Sequence, residues 1–269
     1  MAIISRNAQG YLFGLTRQAG APQGTLTGTL QQASLLQDLV ITTDQFTELT
    51  NVRVAGQNLL VSNQPANAAA FAPNADVEGH RSMGIPLDSQ QVVSIDYSSF
   101  DAVGVAANST TSGAIGTDPI SREQVLGIPV NSLGRGLDFC CGLGHVIAGA
   151  GAAWTLQCVV QRPVMLGRLI LAIGQNPNDV TIRSITVNNI ELLSGAAGAA
   201  GEFGALACVN TQTDNDGNIL AYPAGVNDTI TITGFNYNAA ATVIGGTILL
   251  LPSPFPMAEV TGGSIESGI

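Results

Sequence analysis

The chain contains no lysine. That excludes a Schiff-base lysine, a phosphate-loop lysine and a serine–lysine nucleophile pair. Charge of either sign is scarce, at 10% of residues against an ordinary ~25%. The nine basic residues are all arginines, scattered from Arg6 to Arg183, and the net charge is −10. Nucleic-acid binding needs a basic face that displaces counterions, and these arginines do not make one, so no direct nucleic-acid contact is expected. Aromatic residues are 5% of the chain, with Trp154 the one tryptophan. Tyr97, Phe100, Phe235 and Tyr237 fall on strand-like patterns, which places them in a core or between barrels rather than on a sugar-binding surface.

Long apolar runs are also missing. "FCCGLGHVIAGAGAAW", residues 139–154, is Gly/Ala-rich and carries His145. It falls short of the ~20 residues a spanning helix needs. The opening "MAIISRNAQGYLFG" has no basic stretch followed by an apolar one, so no secretory signal is expected. Cys140, Cys141, Cys158 and Cys208 show no CxxC spacing and no paired histidines, which reads as buried free thiols rather than a zinc site.

What the chain does have is apolar residues, 45% of the total, with a mean hydropathy of +0.30. Disorder has the opposite signature. Its polar surface must come from Ser, Thr, Asn and Gln, and a weakly charged surface suits a protein packed against copies of itself.

The chain also repeats itself. "NVRVAGQNLLVSN", residues 51–63, matches "SITVNNIELLSG", 184–195, with Val52 and Val54 against Ile185 and Val187. "TLQQASLLQDLVI", 29–41, matches "VVQRPVMLGRLIL", 159–171, pairing Leu35 with Met165, Leu39 with Leu169 and Ile41 with Leu171. "VSIDYSSFDA", 93–102, matches "ITITGFNYNA", 230–239, pairing Ile95 with Ile232 and Phe100 with Tyr237. The offsets are 133, 130 and 137 residues, each near half of 269. A tandem duplication of a unit of about 130 residues is expected.

Strand signals dominate both halves. "DLVITT", "NVRVAG", "VVSIDYSSF", "WTLQCVVQ", "RLILAI", "VTIRSITV", "DTITITGF" and "GGTILLLP" alternate or run apolar over strand length, with Gly, Asn, Asp, Pro and Ser clusters between them. "PISREQVLGIP", 119–129, is the best helix candidate, with Ser121 as its cap and Gly127 as its stop. "SGAAGAAGEFGALA", 194–207, reads as a short helix or a loop. The expected fold class is all-β, as two tandem eight-stranded antiparallel β-sandwiches over residues 1–133 and 134–269. The second half carries a proline-rich C-terminal tail, "PSPFPMAEVTGGSIESGI", read equally as an arm or a frayed end. Eight strands in two four-stranded sheets fit a jelly roll, and an immunoglobulin-like sandwich stays open.

Chemistry is sparse. "GLGHVIAG" gives His145 no carboxylate nearby in sequence, and "VEGHRSMG" sets His80 beside Glu78 and Arg81. There is no GxSxG elbow and no phosphate-binding glycine motif, so catalysis is not expected. "TDNDGNI", 213–219, places Asp214, Asp216 and Asn218 at alternate positions around Gly217. Calcium loops use such oxygens and such a glycine, but the EF-hand glutamate is missing. A hairpin turn is the first reading and a calcium ligand set the second.

"LVITTDQFTELTNVRVAGQNLL", 39–60, and its second copy "LILAIGQNPNDVTIRSITVNNIELL", 169–193, resemble the opening of the barrels in a known family. With the doubled β unit and the length, the chain resembles double jelly-roll major capsid proteins of tailless icosahedral bacteriophages with an internal membrane. The resemblance implies a homotrimeric, pseudo-hexameric capsomer that makes lateral contacts with other capsomers. It implies other virion proteins as partners, an underlying membrane, synthesis in the host cytoplasm, residence in the virion shell and no catalytic residues. The chain departs from capsids that touch their genome in having no obvious basic N-terminal segment. Two other classes fit a doubled sandwich: an adhesin or spike module, and a subunit of a surface layer or tube. No heptads or fibre repeats mark a stalk.

Overall fold

The computed structural model describes residues 11–72, 82–119, 140–194, 202–204, 220 and 222–251. The protein is all-β, built of antiparallel sheets, and among the described residues its only helical turns are two short 3-10 segments, Ala68–Phe71 and Pro177–Asp179.

The first half contains β1 (Tyr11–Gly14), β2 (Gln18–Ala21), β3 (Gln23–Thr29), β4 (Ser34–Thr43), β5 (Phe46–Val54), β6 (Gln57–Asn58), β7 (Ala66–Asn67), β8 (Ser82–Leu87), β9 (Val92–Phe100) and β10 (Ser109–Pro119). The second contains β11 (Cys140–Ala148), β12 (Ala152–Val159), β13 (Val164–Ile173), β14 (Val180–Val187), β15 (Ile190–Ser194), β16 (Phe203–Gly204), β17 (Tyr222–Ala224), β18 (Thr229–Asn236) and β19 (Thr242–Leu251).

They form four sheets. Sheet I runs β1-β10-β4-β8, with β2 also on β10; sheet II runs β3-β9-β5-β6, with β7 also on β5. Sheet III runs β11-β19-β13-β17; sheet IV runs β12-β18-β14-β15, with β16 also on β14. The two halves therefore share one strand order. Two prolines sit where a missing backbone donor is tolerated, on edge strands: Pro86 of β8 faces Leu35, and Pro223 of β17 faces Met165.

Cross-strand pairing repeats residue for residue. Val52 faces Ile95 in sheet II, and Ile185 faces Ile232 in sheet IV. Leu39 faces Ile115 in sheet I, and Leu169 faces Ile248 in sheet III. The irregularities repeat too. The β5/β9 register slips between Leu49 and Asn51, and the β14/β18 register slips at the matching place between Ile182 and Ser184. A bulge disrupts a ladder and is kept only for a local reason, so matching bulges relate the halves more closely than matching apolar residues do.

Each half closes on its own core. Leu26, Leu36, Leu39, Ile41, Val52, Ile95 and Ile115 pack together in the first, and Leu156, Leu169, Ile185, Ile232 and Ile248 in the second. Full burial of each such side chain contributes roughly 1.5–3 kcal/mol. The cores also exchange residues. Cys140 and Leu249, partners on β11 and β19, belong to the first core, and Val61 of the first half belongs to the second. Much of β11 and β19 is buried on both faces, which is why both read as continuous apolar runs instead of alternating.

Pro119 closes β10; the rest of the helix candidate 120–129 lies outside the described residues, as do the 133/134 boundary and the C-terminal tail. Within 194–207, Phe203–Gly204 is strand β16.

Candidate functional site at the seam between the sandwiches

The segment between β6 and β7 threads along the second half. The Val61 N–H donates to Cys140 O at 3.0 Å, and the Gln161 N–H donates to Val61 O at 2.7 Å. Ser62 Oγ donates to Gly142 O at 2.7 Å, and the Asn67 N–H donates to Thr247 Oγ1 at 2.6 Å. Arg162 Nη2 donates to the carbonyls of Asn58 and Leu60 at 3.1 and 3.2 Å. The approach is tight. A Cβ on Gly142 would lie 2.3 Å from the Pro65 carbonyl, and one on Gly245 would lie 2.6 Å from the Phe46 ring.

The seam joins unlike faces. The outward face of sheet II, bearing Phe46, Glu48 and Phe100, lies on the outward face of sheet III, bearing His145, Gly245 and Thr247. A contact between different faces is heterologous, the kind that repeats head to tail.

His145 is the centre of this contact. The sequence offers it no carboxylate, and the fold supplies one from the other half: His145 Nδ1 lies 3.0 Å from Glu48 Oε2. Its ring sits 4.5 Å from that of Phe100 and 6.2 Å from that of Phe46. The hydrogen bond to Glu48 raises the His145 pKa above its usual value; burial opposes the rise and the Glu48 charge adds to it. Glu48 is itself buried, and its Oε1 has no partner, so the contact with His145 is what offsets the cost of burying that carboxylate. The pair binds the halves through charge, hydrogen bond and ring contact. An open cleft of about 550 Å³ runs beside it, lined in part by Thr43, Phe46, Asn67, Ala102 and Ile173.

The other expected residues fall as follows. Asp214, Asp216 and Asn218, the calcium candidates, lie outside the described residues, as do His80 and Cys208. Among the described residues no three His, Cys, Asp or Glu side chains gather as a metal-binding group. Cys140, Cys141 and Cys158 are free and buried, with Cys141 Sγ and Cys158 Sγ 3.5 Å apart. Burial first, and the neighbouring Cys141 second, push the Cys140 thiol well above its usual pKa, so it is not poised as a nucleophile. Tyr97 is core and Phe100 lies between the sandwiches; Tyr237, expected at a similar packed place, is instead 41% exposed and stacks with Phe235 at 4.6 Å. Glu48 went unread because a single acid in "FTELTN" has no local partner. The signal available was a carboxylate set in a Thr/Leu strand that is otherwise built for burial.

No protein-family model matches the chain, and no curated protein sequence matches it.

Proposed function

We propose that the protein is a structural shell subunit, a double jelly-roll major capsid protein whose trimers form pseudo-hexameric capsomers of an icosahedral virion. The observation that carries this reading is the shared strand order. Numbering the eight main strands of a half in sequence, one sheet runs first, eighth, third, sixth and the other second, seventh, fourth, fifth, in both halves alike. That is the order a jelly roll takes when its two Greek keys close on each other. The seam supports the assembly. Each sandwich offers one face for its successor and another for its predecessor, and a heterologous contact forms a ring when its rotation closes. A ring of three chains then presents six similar sandwiches. The role is mechanical, with no catalytic residues. Its partners are further copies, other virion proteins and an underlying membrane. Calcium ligation by Asp214, Asp216 and Asn218 is the second reading of that segment, after a hairpin turn, and rests on the sequence.

Light scattering after size exclusion tests this. A particle of three 27.5 kDa chains, which concentrates into curved hexagonal arrays under the electron microscope, is the expected result. A monomer at high concentration overturns it.

A further inference from the structure

The strand equivalences say which residues of one chain meet the next. Gly14 faces Ala114 as Gly142 faces Thr247, and Gln18 faces Thr111 as Val146 faces Ile244. Arg17 is thus the first-half counterpart of His145. The neighbouring equivalence agrees: Leu15 and Ile41 crowd Gly113 as Leu143 and Leu171 crowd Gly246. On the opposite face, Phe46 faces Phe100 as Asp179 meets Tyr237, whose N–H donates to Asp179 O at 2.8 Å. Asn67 faces Glu48 as Gly204 faces Thr181.

Positions covered at the internal seam are open at their counterparts. Thr247 and Asn67 are buried at 0% and 2% exposure, while Ala114 is partly exposed and Gly204 is exposed. Phe100 is half-buried; Tyr237 is 41% exposed. Arg17 and Asp179 are exposed. The chemistry of the open faces is complementary. In place of His145 over Phe46 and Phe100 stand Arg17 on one face and Asp179 and Tyr237 on the other. Glu202, whose side chain is fully buried, steadies the Tyr237 ring: it accepts hydrogen bonds from Tyr237 Oη at 3.2 Å and Thr181 Oγ1 and is paired with Arg183 Nη2 at 2.6 Å.

We propose that Arg17 on the outer face of sheet I docks against Asp179 and Tyr237 on the outer face of sheet IV of a second copy of this chain. This deepens the capsomer reading and rests on it. The guanidinium sits over the Tyr237 ring as His145 sits over that of Phe100, and meets the Asp179 carboxylate beside it. Ala114 has no hydroxyl, so the Asn67–Thr247 bond is not repeated; the charged contact takes over the polar anchoring.

The test mixes two full-length single variants, Arg17→Cys and Tyr237→Cys, each at an exposed site, with a short bismaleimide. Crosslinking of R17C chains to Y237C chains, with neither variant linking to itself, is expected. Arg17→Glu is expected to reduce the assembled mass to one 27.5 kDa chain while leaving the melting temperature of that chain unchanged. A wild-type oligomer that gives no R17C–Y237C product and is indifferent to Arg17→Glu overturns this docking and leaves the capsomer reading standing. A wild-type monomer overturns both.

Discussion

The phenol ring of Tyr97 lies over Gly24: a Cβ built on Gly24 would come within 2.9 Å of Tyr97 Oη. The two are cross-strand partners on β9 and β3. In the second half the same pair of positions holds Gly234 on β18 and Trp154 on β12, with the large ring now on the other strand. A Cβ on Gly234 would lie 2.4 Å from Trp154 Cζ2 and 2.0 Å from the Thr181 carbonyl. Each core thus keeps one aromatic and one glycine at this layer, and total volume is preserved while the partners have exchanged strands.

The exchange predicts unequal costs for the same substitution. Gly24→Ala meets the tip of a side chain that can tilt; Gly234→Ala meets backbone as well. Urea unfolding should show Gly234→Ala destabilising by about 2–3 kcal/mol and Gly24→Ala by about 1 kcal/mol. Tyr97 Oη is buried without a partner, so Tyr97→Phe should be neutral or stabilising. It should also soften the cost of Gly24→Ala when the two are combined. Equal losses at the two glycines would contradict this account of the packing.

Five buried or half-buried hydroxyls close a ring at one end of the first sandwich. Thr43, Thr47, Ser99 and Ser109 follow one another at 2.8 Å, Thr111 follows at 3.1 Å and returns to Thr43 at 3.4 Å. The ring ties β4, β5, β9 and β10 together, two strands from each of the two sheets. Three of its five second-half counterparts, Ile173, Val180 and Ile244, are aliphatic, while Asn236 and Thr242 in place of Ser99 and Ser109 stay buried and hydrogen-bonded. Thr47→Val keeps the shape and removes one link, leaving two neighbours short of a partner; a loss of roughly 1–3 kcal/mol is expected. The triple replacement Thr43→Ile, Thr47→Val and Thr111→Ile copies the apolar solution and should recover part of that loss, measured by the same denaturant midpoint.

A turn residue offers a gain in stability. Ala55 sits at φ 49° and Gly56 at φ 83°, between β5 and β6; the matching position Asn188 has φ 53°. Asparagine occupies this left-handed region at lower cost than alanine. Ala55→Asn should therefore stabilise by about 0.5–1 kcal/mol, seen as a rise in thermal midpoint. A fall would mean that the Ala55 methyl makes a contact the turn depends on.

The strands the sequence reveals are those that alternate or are rich in Val, Ile and Thr. "VVSIDYSSF" and "VTIRSITV" coincide with β9 and β14 to the residue. β3 and β10 escape notice because Gly24, Gly28, Gly113 and Gly116 dilute the pattern. β11 escapes because its outward face is covered at the seam over most of its length, leaving no exposed polar side to alternate with. The duplication is legible because side chains facing one core repeat in type. The seam is not, because Glu48 and His145 lie in different halves and only the packing of sheet II on sheet III brings them together. The exposed side of the same logic, Arg17 and Tyr237, becomes visible only when one half is laid on the other.

The seam's charge depends on one titratable ring. The folded His145 pKa is raised above the ~6.5 of an unfolded chain, so protonated His145 favours the native state. Its stabilisation is fully present below about pH 6.5 and is lost as pH rises through the higher folded value. His145→Gln removes the titration and keeps a donor for Glu48 Oε2. The difference in thermal midpoint between wild type and His145→Gln should therefore be largest near pH 6 and shrink steadily toward pH 9. Glu48→Gln, which removes the carboxylate that raises the pKa, should show the same convergence. A gap that stays constant across this range would mean that the ring holds the seam by packing against Phe100 and Phe46 alone, with the Glu48 contact adding nothing that protons can remove.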